Sequence, residues 1–376
     1  MEYCFILGKN WLLSLSEINN YLKNRNLDFD ILEFKKEFAI ISIDKLPKNI
    51  IDDLGGTIKI CQYLSDDLNF FENLIQEKIR IGISVYPKNR KFYENIKKRI
   101  KSLLKSQKIK YTFVTPKYRG ETSLKHIEVL KKLLKRNGKE IVVLLNDKPK
   151  FFLTLMVHDP RQFMIRDVLR PRQRVTYSIP PRLAKILINL VAKPGDVLLD
   201  PFCGIGTILQ EALLMKIKPI GIDKDDECIK YAKENIEWIK RKYMIEGDVK
   251  LINGDATRLS EFLGEKSIDC IATEPYLGPP LKKRPTVFEA EKIIKELEEL
   301  YLNFFYEAKK VLKHQGKMSV VFPNFLTNDG KEIKIDIEDL CKQSGLKQIE
   351  LLRNEKTIID ADEKQRTRRE VALFER

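Results

Sequence analysis

Histidine and cysteine are scarce in this chain. Three histidines, at positions 126, 158 and 314, and six cysteines, at 4, 61, 203, 228, 270 and 341, are scattered through 376 residues with no CxxC pair. That dispersion disfavours a zinc ribbon, a dithiol redox pair and a disulfide framework, so no metal site is expected. Long apolar runs are missing as well: AKILINLVA and IVVLLN fall short of the roughly 18 residues that a spanning helix needs. The opening MEYCFILGKNWLLSLSEINN has no basic region ahead of an apolar stretch. A cytoplasmic protein with no membrane partner is expected. Low-complexity tracts and repeats of solenoid period are also missing, and the length implies two or three domains.

What is abundant is positive charge. The chain carries 69 Lys and Arg against 54 Asp and Glu, a net +15. Residues 81–150 alone sum to +15, whereas residues 201–376 sum to −1. A proteome-wide lysine bias would spread evenly, so the focusing points to one polyanion-facing domain joined to nearly neutral ones. The plainer alternative is a set of solvated helix faces.

Residues 1–58 read as a small α+β unit: YCFILG, the helix SLSEINNYLKNRN, then strands in FDILEFKKEFAIISID, closing at the paired glycines 55 and 56. Residues 59–168 hold the strand IRIGISVY and the helix ENIKKRIKSLLKSQ, with Ile96, Ile100, Leu103 and Leu104 facing a core. The helix SLKHIEVLKKLLKRNG follows, with Leu124, Ile127, Leu130 and Leu134 inward, and then the strands EIVVLLN and KFFLTLMVH. From 169 to 376 strands and helices alternate: DVLLD, TILQEALLMK, PIGID, DECIKYAKENIEWIK, VKLIN, SIDCIAT, a long helix, KMSVVFP and terminal strands. Repeated βα units predict a doubly wound, mostly parallel sheet, the α/β fold class.

VLLDPFCGIGT puts Gly204 and Gly206 between a strand and a helix, as in a nucleotide-binding turn. The acid at Asp200 and the missing third glycine suit a pyrophosphate poorly and a cationic ligand well. S-adenosylmethionine carries a sulfonium, an ammonium and no phosphate. Asp223 in GIDKDD is placed to accept from ribose hydroxyls, and Asp255 in NGDAT, beside Ala256, from an adenine amine. Cys203 and Thr207 complete the loop. The plainer reading makes the three acids loop or helix caps.

DPFCGIGT, GIDKDD and GDAT resemble motifs I, II and III of class I methyltransferases. RVTYSIPPRLAKILINL resembles the segment leading into the catalytic domain of THUMP-containing RNA methyltransferases. By order and composition, residues 59–168 resemble a THUMP domain, and residues 1–58 resemble the ferredoxin-like unit that precedes it. The nearest likeness is to the archaeal tRNA guanine-10 N2-methyltransferase family, across essentially the whole chain. The resemblance implies a Rossmann-like class I methyltransferase domain over 169–376, S-adenosylmethionine as cofactor and tRNA as partner. It also implies a monomer and, as in some relatives, a small activator protein.

Amino-methylating members of this superfamily end the fourth strand in (D/N)-PP-(Y/F). An exocyclic amine is a poor nucleophile until acceptors take its N–H bonds and hold it in line with the methyl group, and the aromatic ring stacks on the extruded base. Here the strand reads Thr273-Glu274-Pro275-Tyr276. Glu274 replaces the short acid if strands are aligned, Thr273 if the proline and tyrosine are. Glu274 as amine acceptor and Tyr276 as stacker imply direct in-line transfer to a guanine N2, without a covalent intermediate. Other open readings are an amino-methyltransferase of another tRNA guanine, of rRNA or of DNA, and a tRNA-binding protein with a degenerate site. Cys203, Cys228 and Cys270 are read as packing residues.

Candidate RNA contacts are Lys97, Lys101, Lys117, Tyr118, Arg119, Lys132 and Arg136, with Lys282 and Lys283 beside the pocket. Arg166, Arg170, Arg172 and Arg174 are expected to form a basic bridge. Tyr111 and Tyr118 are candidates to stack on unpaired bases, against core packing as the plainer use.

Overall fold

The computed structural model describes residues 1–68, 70–71, 78–174, 178–362 and 365–376. Residues 175–177 of the segment RVTYSIPPRLAKILINL therefore lie outside the described residues. Chain contacts divide the molecule into two compact units, residues 1–11 with 27–162 and residues 12–26 with 163–376.

In chain order the N-terminal elements are β1 (Glu2–Leu7), α1 (Trp11–Asn24), β2 (Phe29–Lys35), β3 (Phe38–Ile43), α2 (Ile50–Asp53), β4 (Thr57–Ser65), β5 (Lys78–Tyr86), α3 (Arg90–Ser106), β6 (Lys110–Val114), α4 (His126–Glu128), β7 (Lys139–Leu145) and β8 (Pro149–Val157). All eight strands share one sheet, ordered β2-β3-β1-β4-β8-β7-β5-β6. It is antiparallel except where β5 runs parallel to β6 and β7. Strand β4 joins the first four strands to the rest, yet its pattern does not read as a strand because Lys59 occupies a core position. The lysine is held there by Glu140 at 2.6 Å and the Leu124 carbonyl at 2.9 Å. Ser84 and Thr154 donate to the same carboxylate, each at 2.6 Å. A buried charge survives only when its partner and the leftover lone pairs are satisfied, as they are here.

Helix α3 buries Tyr93, Ile96, Ile100 and Leu104 as a 3.6-residue stripe, with Leu103 at the margin. The segment after it departs from expectation. Residues 126–136 begin as α4, widen into a π turn over Val129–Leu133 and tighten over Leu134–Arg136, ending at left-handed Asn137. The extra residue in the wide turn rotates the inward face, so Val129 and Leu133 are buried with Leu124, while Leu130 and Leu134 sit at the edge.

The second unit continues with α5 (Pro160–Val168), α6 (Pro181–Val191), β9 (Val197–Asp200), α7 (Thr207–Leu214), β10 (Lys218–Asp223), α8 (Asp226–Tyr243), β11 (Lys250–Asn253), β12 (Ile268–Thr273), α9 (Val287–Val311), β13 (Leu312–Leu326), β14 (Glu332–Lys334), α10 (Ile337–Ser344), β15 (Lys347–Ile349), β16 (Thr357–Asp360) and β17 (Thr367–Glu375). The sheet runs β11-β10-β9-β12-β13-β17-β15. Strands β9 to β13 are parallel and β17 is antiparallel. Both faces are covered, which is why the strands are apolar at successive positions. Leu198, Val321, Val371 and Leu373 face α6 and α7; Leu199, Val320, Phe322, Ala372 and Phe374 face α9.

Helix α1 packs on this unit. Leu13 joins the core of α6, Ser16 Oγ donates to the Leu351 carbonyl at 2.8 Å, and Asn189 Nδ2 donates to buried Glu17 at 2.7 Å.

Candidate active site

Strand order reverses at β9 and β12, the switch point where open α/β sheets leave a crevice beyond the carboxyl ends of the strands. Two motif residues end those strands and meet: the Thr273 hydroxyl donates to Asp200 Oδ1 at 2.7 Å. The Phe202 amide donates to the same oxygen at 3.3 Å, leaving Oδ2 outside both bonds. Asp200 is 2% exposed. Burial pushes its carboxyl up to about 7 against the pull of these donors, and the charges of Asp223 and Glu274 add to the rise. The Thr273 hydroxyl is thus committed as a donor, leaving Glu274 as the acid at that strand end. Asp200, Glu274 and the loop Phe202–Ile205 line one cleft with Ser178, Ile179, Thr207 and Ile208.

The loop is braced from β10. Asp223 accepts the Gly204 amide at 2.8 Å on Oδ2 and the Asp225 amide at 2.9 Å on Oδ1. Two bonds leave roughly half of a carboxylate's acceptor positions for a ligand. Gly206 caps α7 at φ +85°, and a Cβ there would come within 3.2 Å of Ala232. Gly221 on β10 passed unnoticed in the sequence, although a Cβ there would strike Leu209 at 2.5 Å and crowd Cys203. Cys203, Cys228 and Cys270 are all buried. Asp255 caps the turn at buried Ala256, accepting from the Thr257 amide and hydroxyl at 2.8 Å on Oδ1. The capping expected on the plainer reading is thus present at Asp255, with the second oxygen outside it.

Beyond Thr273 the chain carries Glu274 and Pro275 into Tyr276, which is 46% exposed. The buried Tyr301 hydroxyl of α9 donates to both the Tyr276 and Val321 carbonyls, at 3.4 and 3.3 Å. Glu274 is held by Arg369 of β17, a residue the sequence reading did not single out. Its only signal was a cationic run, RTRRE, opening an otherwise apolar strand.

The basic residues fall into different settings. Arg166 and Arg170 are buried, bonded to Glu211 and to Thr207 and Ser178, so they present no phosphate-facing bridge. Arg172 pairs with Glu234 and Arg174 with Asp225, each at 2.7 Å. In the N-terminal unit Lys97 pairs with Glu94 and Lys132 with Glu128. Lys101 lies over Phe113 and is half-buried, as is Tyr111. Lys117, Tyr118, Arg119 and Arg136 are exposed, and Lys125 lies over the Tyr118 ring at 4.5 Å. Lys98 and Arg99, not singled out before, line an open groove on α3 with Ser102, Leu103 and Ser106. Lys282 and Lys283 are exposed, as is Phe288.

A family model described as RMKL-like, methyltransferase domain, matches residues 170–328, and one described as DNA methylase matches 58–234. A tRNA (guanine(10)-N2)-dimethyltransferase from Methanothermobacter thermautotrophicus is 34% identical over 190 residues, 49% of this chain and 50% of that one. One of the same name from Pyrococcus abyssi is 32% identical over 147 residues, 39% of each chain. The chain resembles the archaeal tRNA guanine-10 N2-methyltransferase family. Its matched part spans about half the length of the first of these relatives and less of the second. The crystal structure of TrmN from Thermus thermophilus superposes over the full length of both chains with a TM-score of 0.52 at 15% identity, a likeness of fold. The second unit has the class I methyltransferase fold.

No helix among the described residues is long and apolar enough to cross a membrane.

Proposed function

We propose that this chain is an S-adenosylmethionine-dependent tRNA methyltransferase acting on the exocyclic N2 of a guanine, with position 10 the favoured target. The reading rests on one observation: a buried carboxylate, Asp200, bonded across the switch point to the strand that ends in Glu274 and Tyr276. An acid in that place suits a cationic ligand and repels a diphosphate. Asp200, Asp223, Asp255 and the loop from Cys203 to Thr207 would hold the cofactor, which when bound supplies an electrophilic methyl group. Glu274 accepts an N–H of the amine, enriching its nitrogen and fixing its direction, and the same carboxylate offers an acceptor for the proton released. The half-exposed Tyr276 ring gives the extruded base a face to stack on.

Residues 1–58 and 59–168 supply the ferredoxin-like and THUMP parts, whose exposed cations grip the tRNA backbone. The protein works as a cytoplasmic monomer, with an activator protein as a further partner. The names of the relatives, the order of the motifs and the focused charge support this reading. The test is methyl transfer from labelled donor to tRNA transcripts, with the modified nucleoside located by mass spectrometry. Expected is methylated guanine at position 10, lost in Asp200→Asn and reduced on the order of a hundredfold in Glu274→Ala. Cofactor binding without transfer would instead indicate a tRNA-binding protein, and methylated adenine or cytosine in DNA a different substrate class.

A further inference from the structure

Helix α9 is longer than the strand it covers. Its 25 residues span about 37 Å, against about 20 Å for the 6 residues of β12. The helix ends at Val311, next to Leu312, and Leu312 pairs with Ile268 at the start of β12. The surplus therefore falls at the other end: the first turns of α9 project roughly 15 Å beyond Thr273, on the edge that carries Glu274 and Tyr276.

The segment between Tyr276 and α9 is fixed along this overhang. Gly278 packs so closely on α9 that a Cβ would lie 2.8 Å from Ile293, and Leu281 joins the same core. The buried Pro285 offers its carbonyl to the Asn328 amide at 2.9 Å. Thr286 then caps the helix: its hydroxyl accepts the Glu289 amide at 3.2 Å, and the Glu289 carboxylate accepts the Thr286 amide at 2.7 Å.

That fixed backbone turns cations and a ring outward. Lys282, Lys283 and Arg284 are exposed and close no salt bridge among the described residues. Two neighbouring acids are engaged elsewhere: Glu289, its carboxyl lowered first by its bonds to Thr286 and then by the charge of Lys283, and Asp329, met by the Thr327 hydroxyl at 2.5 Å and by Lys331 at 3.9 Å. Phe288, on the first turn of α9, is 77% exposed. One exposed aromatic is too little for a protein interface, and the charge beside it is positive. A ring among cations suits a nucleotide strand, whose bases stack and whose phosphates are anionic. Phe288 lies about 20 Å along α9 from Tyr301, whose hydroxyl meets the Tyr276 carbonyl. That distance is about six steps of 3.4 Å along one stacked strand.

We propose that this overhang is a second RNA subsite: Phe288 stacks on an unpaired base about six nucleotides from the target, and Lys282, Lys283 and Arg284 hold the phosphates between them. The inference rests on the RNA reading above and adds where the strand runs once it leaves the pocket.

The test uses the full chain and tRNA transcripts that each carry one 5-iodouridine near the target guanine. On irradiation this base cross-links to an aromatic ring stacked on it, and mass spectrometry identifies the residue. A cross-link at Phe288 is expected from at least one transcript. Phe288→Ala and Phe288→Leu should lower kcat/KM for tRNA by roughly fivefold to a hundredfold, the worth of one stacked base, and Phe288→Tyr should retain it. Binding of S-adenosylhomocysteine should be unchanged in all three, a control for folding. Lys282→Gln with Lys283→Gln should reduce the slope of log affinity against log salt by about 1–2. No cross-link at Phe288 from any transcript, or full activity in Phe288→Leu, would overturn the subsite. A cross-link without methyl transfer by wild type would keep the subsite and overturn the methylation reading instead.

Discussion

Arg369 holds Glu274 with two hydrogen bonds, 2.5 Å from Nε to Oε2 and 3.3 Å from Nη2 to Oε1. Both side chains are largely buried, 16% and 11% exposed. A glutamate has one more rotatable bond than the aspartate or asparagine of the (D/N)-PP-(Y/F) pattern. Two donors in the fixed fork of a guanidinium remove that freedom. Arg369→Ala should therefore lower kcat about tenfold to a hundredfold with a smaller change in KM for tRNA, and Arg369→Lys should recover part of it. It should also lower stability, since it leaves a buried carboxylate unpaired. The double cycle with Glu274→Ala separates the two effects. If Arg369 acts through Glu274, its removal costs no further turnover in the Glu274→Ala background. Additive losses in kcat would mean that the arginine serves catalysis by another route.

On the cofactor reading proposed above, Asp200 should make cofactor binding depend on pH. Burial raises its carboxyl to about 7, so in the ligand-free protein the protonated form is favoured below that value. The fold stability linked to a raised carboxyl is fully present below the ordinary aspartate range and is lost as pH rises toward 7. A cationic ligand prefers the ionised form. Affinity for S-adenosylmethionine should fall as pH drops below about 7, by up to roughly tenfold per pH unit, and level off above about pH 8. Calorimetry in buffers of different ionisation enthalpy should detect proton release on binding at about pH 6. Asp200→Asn keeps an oxygen acceptor for Thr273 and Phe202, and should bind weakly with a flat pH profile. A wild-type affinity independent of pH over this range would remove Asp200 from the cationic end of the site.

Helix α1 packs within the second unit, although strands β1 and β2 on either side of it belong to the other sheet. Leu13 is fully buried among Leu183, Leu187 and their neighbours on α6. Leu13→Ala should cost about 2–5 kcal/mol, the range for deleting a buried leucine side chain. Hydrogen exchange locates the damage: faster exchange is expected in α6 and in residues 351–358. Loss of protection confined to β1–β8 would show that the helix supports the N-terminal sheet instead.

The parallel sheet and its acids were legible because period and position carry them. Runs such as DVLLD and PIGID are apolar at successive positions, which only a sheet covered on both faces requires, and Asp200 and Asp223 end those runs. What escaped was set by tertiary partners. Lys59 disguised β4, since a lysine reads as surface unless its buried glutamate, 81 residues away, is known. The π turn at Val129–Leu133 shifted the inward face of a segment whose leucines suggested a regular helix. The helix at SLSEINNYLKNRN was legible, but not that it is buried nearly all round, from Leu13 to Leu22, against the second unit. Arg369 lies 95 residues from Glu274, and only the antiparallel return of β17 brings them together.

The cations proposed to grip RNA separate into those already paired with carboxylates and those exposed without one among the described residues. Lys97 and Lys132 have carboxylates at 3.1 and 3.0 Å, so each brings less net charge to a phosphate. Lys98 and Arg99 stand exposed beside the groove on α3, and Arg119 and Arg136 are exposed as well. Each phosphate contact that a cation makes releases counterions and adds about 0.7–0.9 to the slope of log affinity against log salt. Neutralising Lys98 and Arg99 together should weaken tRNA binding and reduce that slope by about 1–2, and Arg119→Gln with Arg136→Gln should do the same. Neutralising Lys97 and Lys132 should move the slope less, because Glu94 and Glu128 already hold part of their charge. Affinity for S-adenosylmethionine should be unchanged in all three pairs. Binding isotherms across a salt series decide the matter, and equal slopes for wild type and for the Lys98/Arg99 pair would remove α3 from the RNA-binding face.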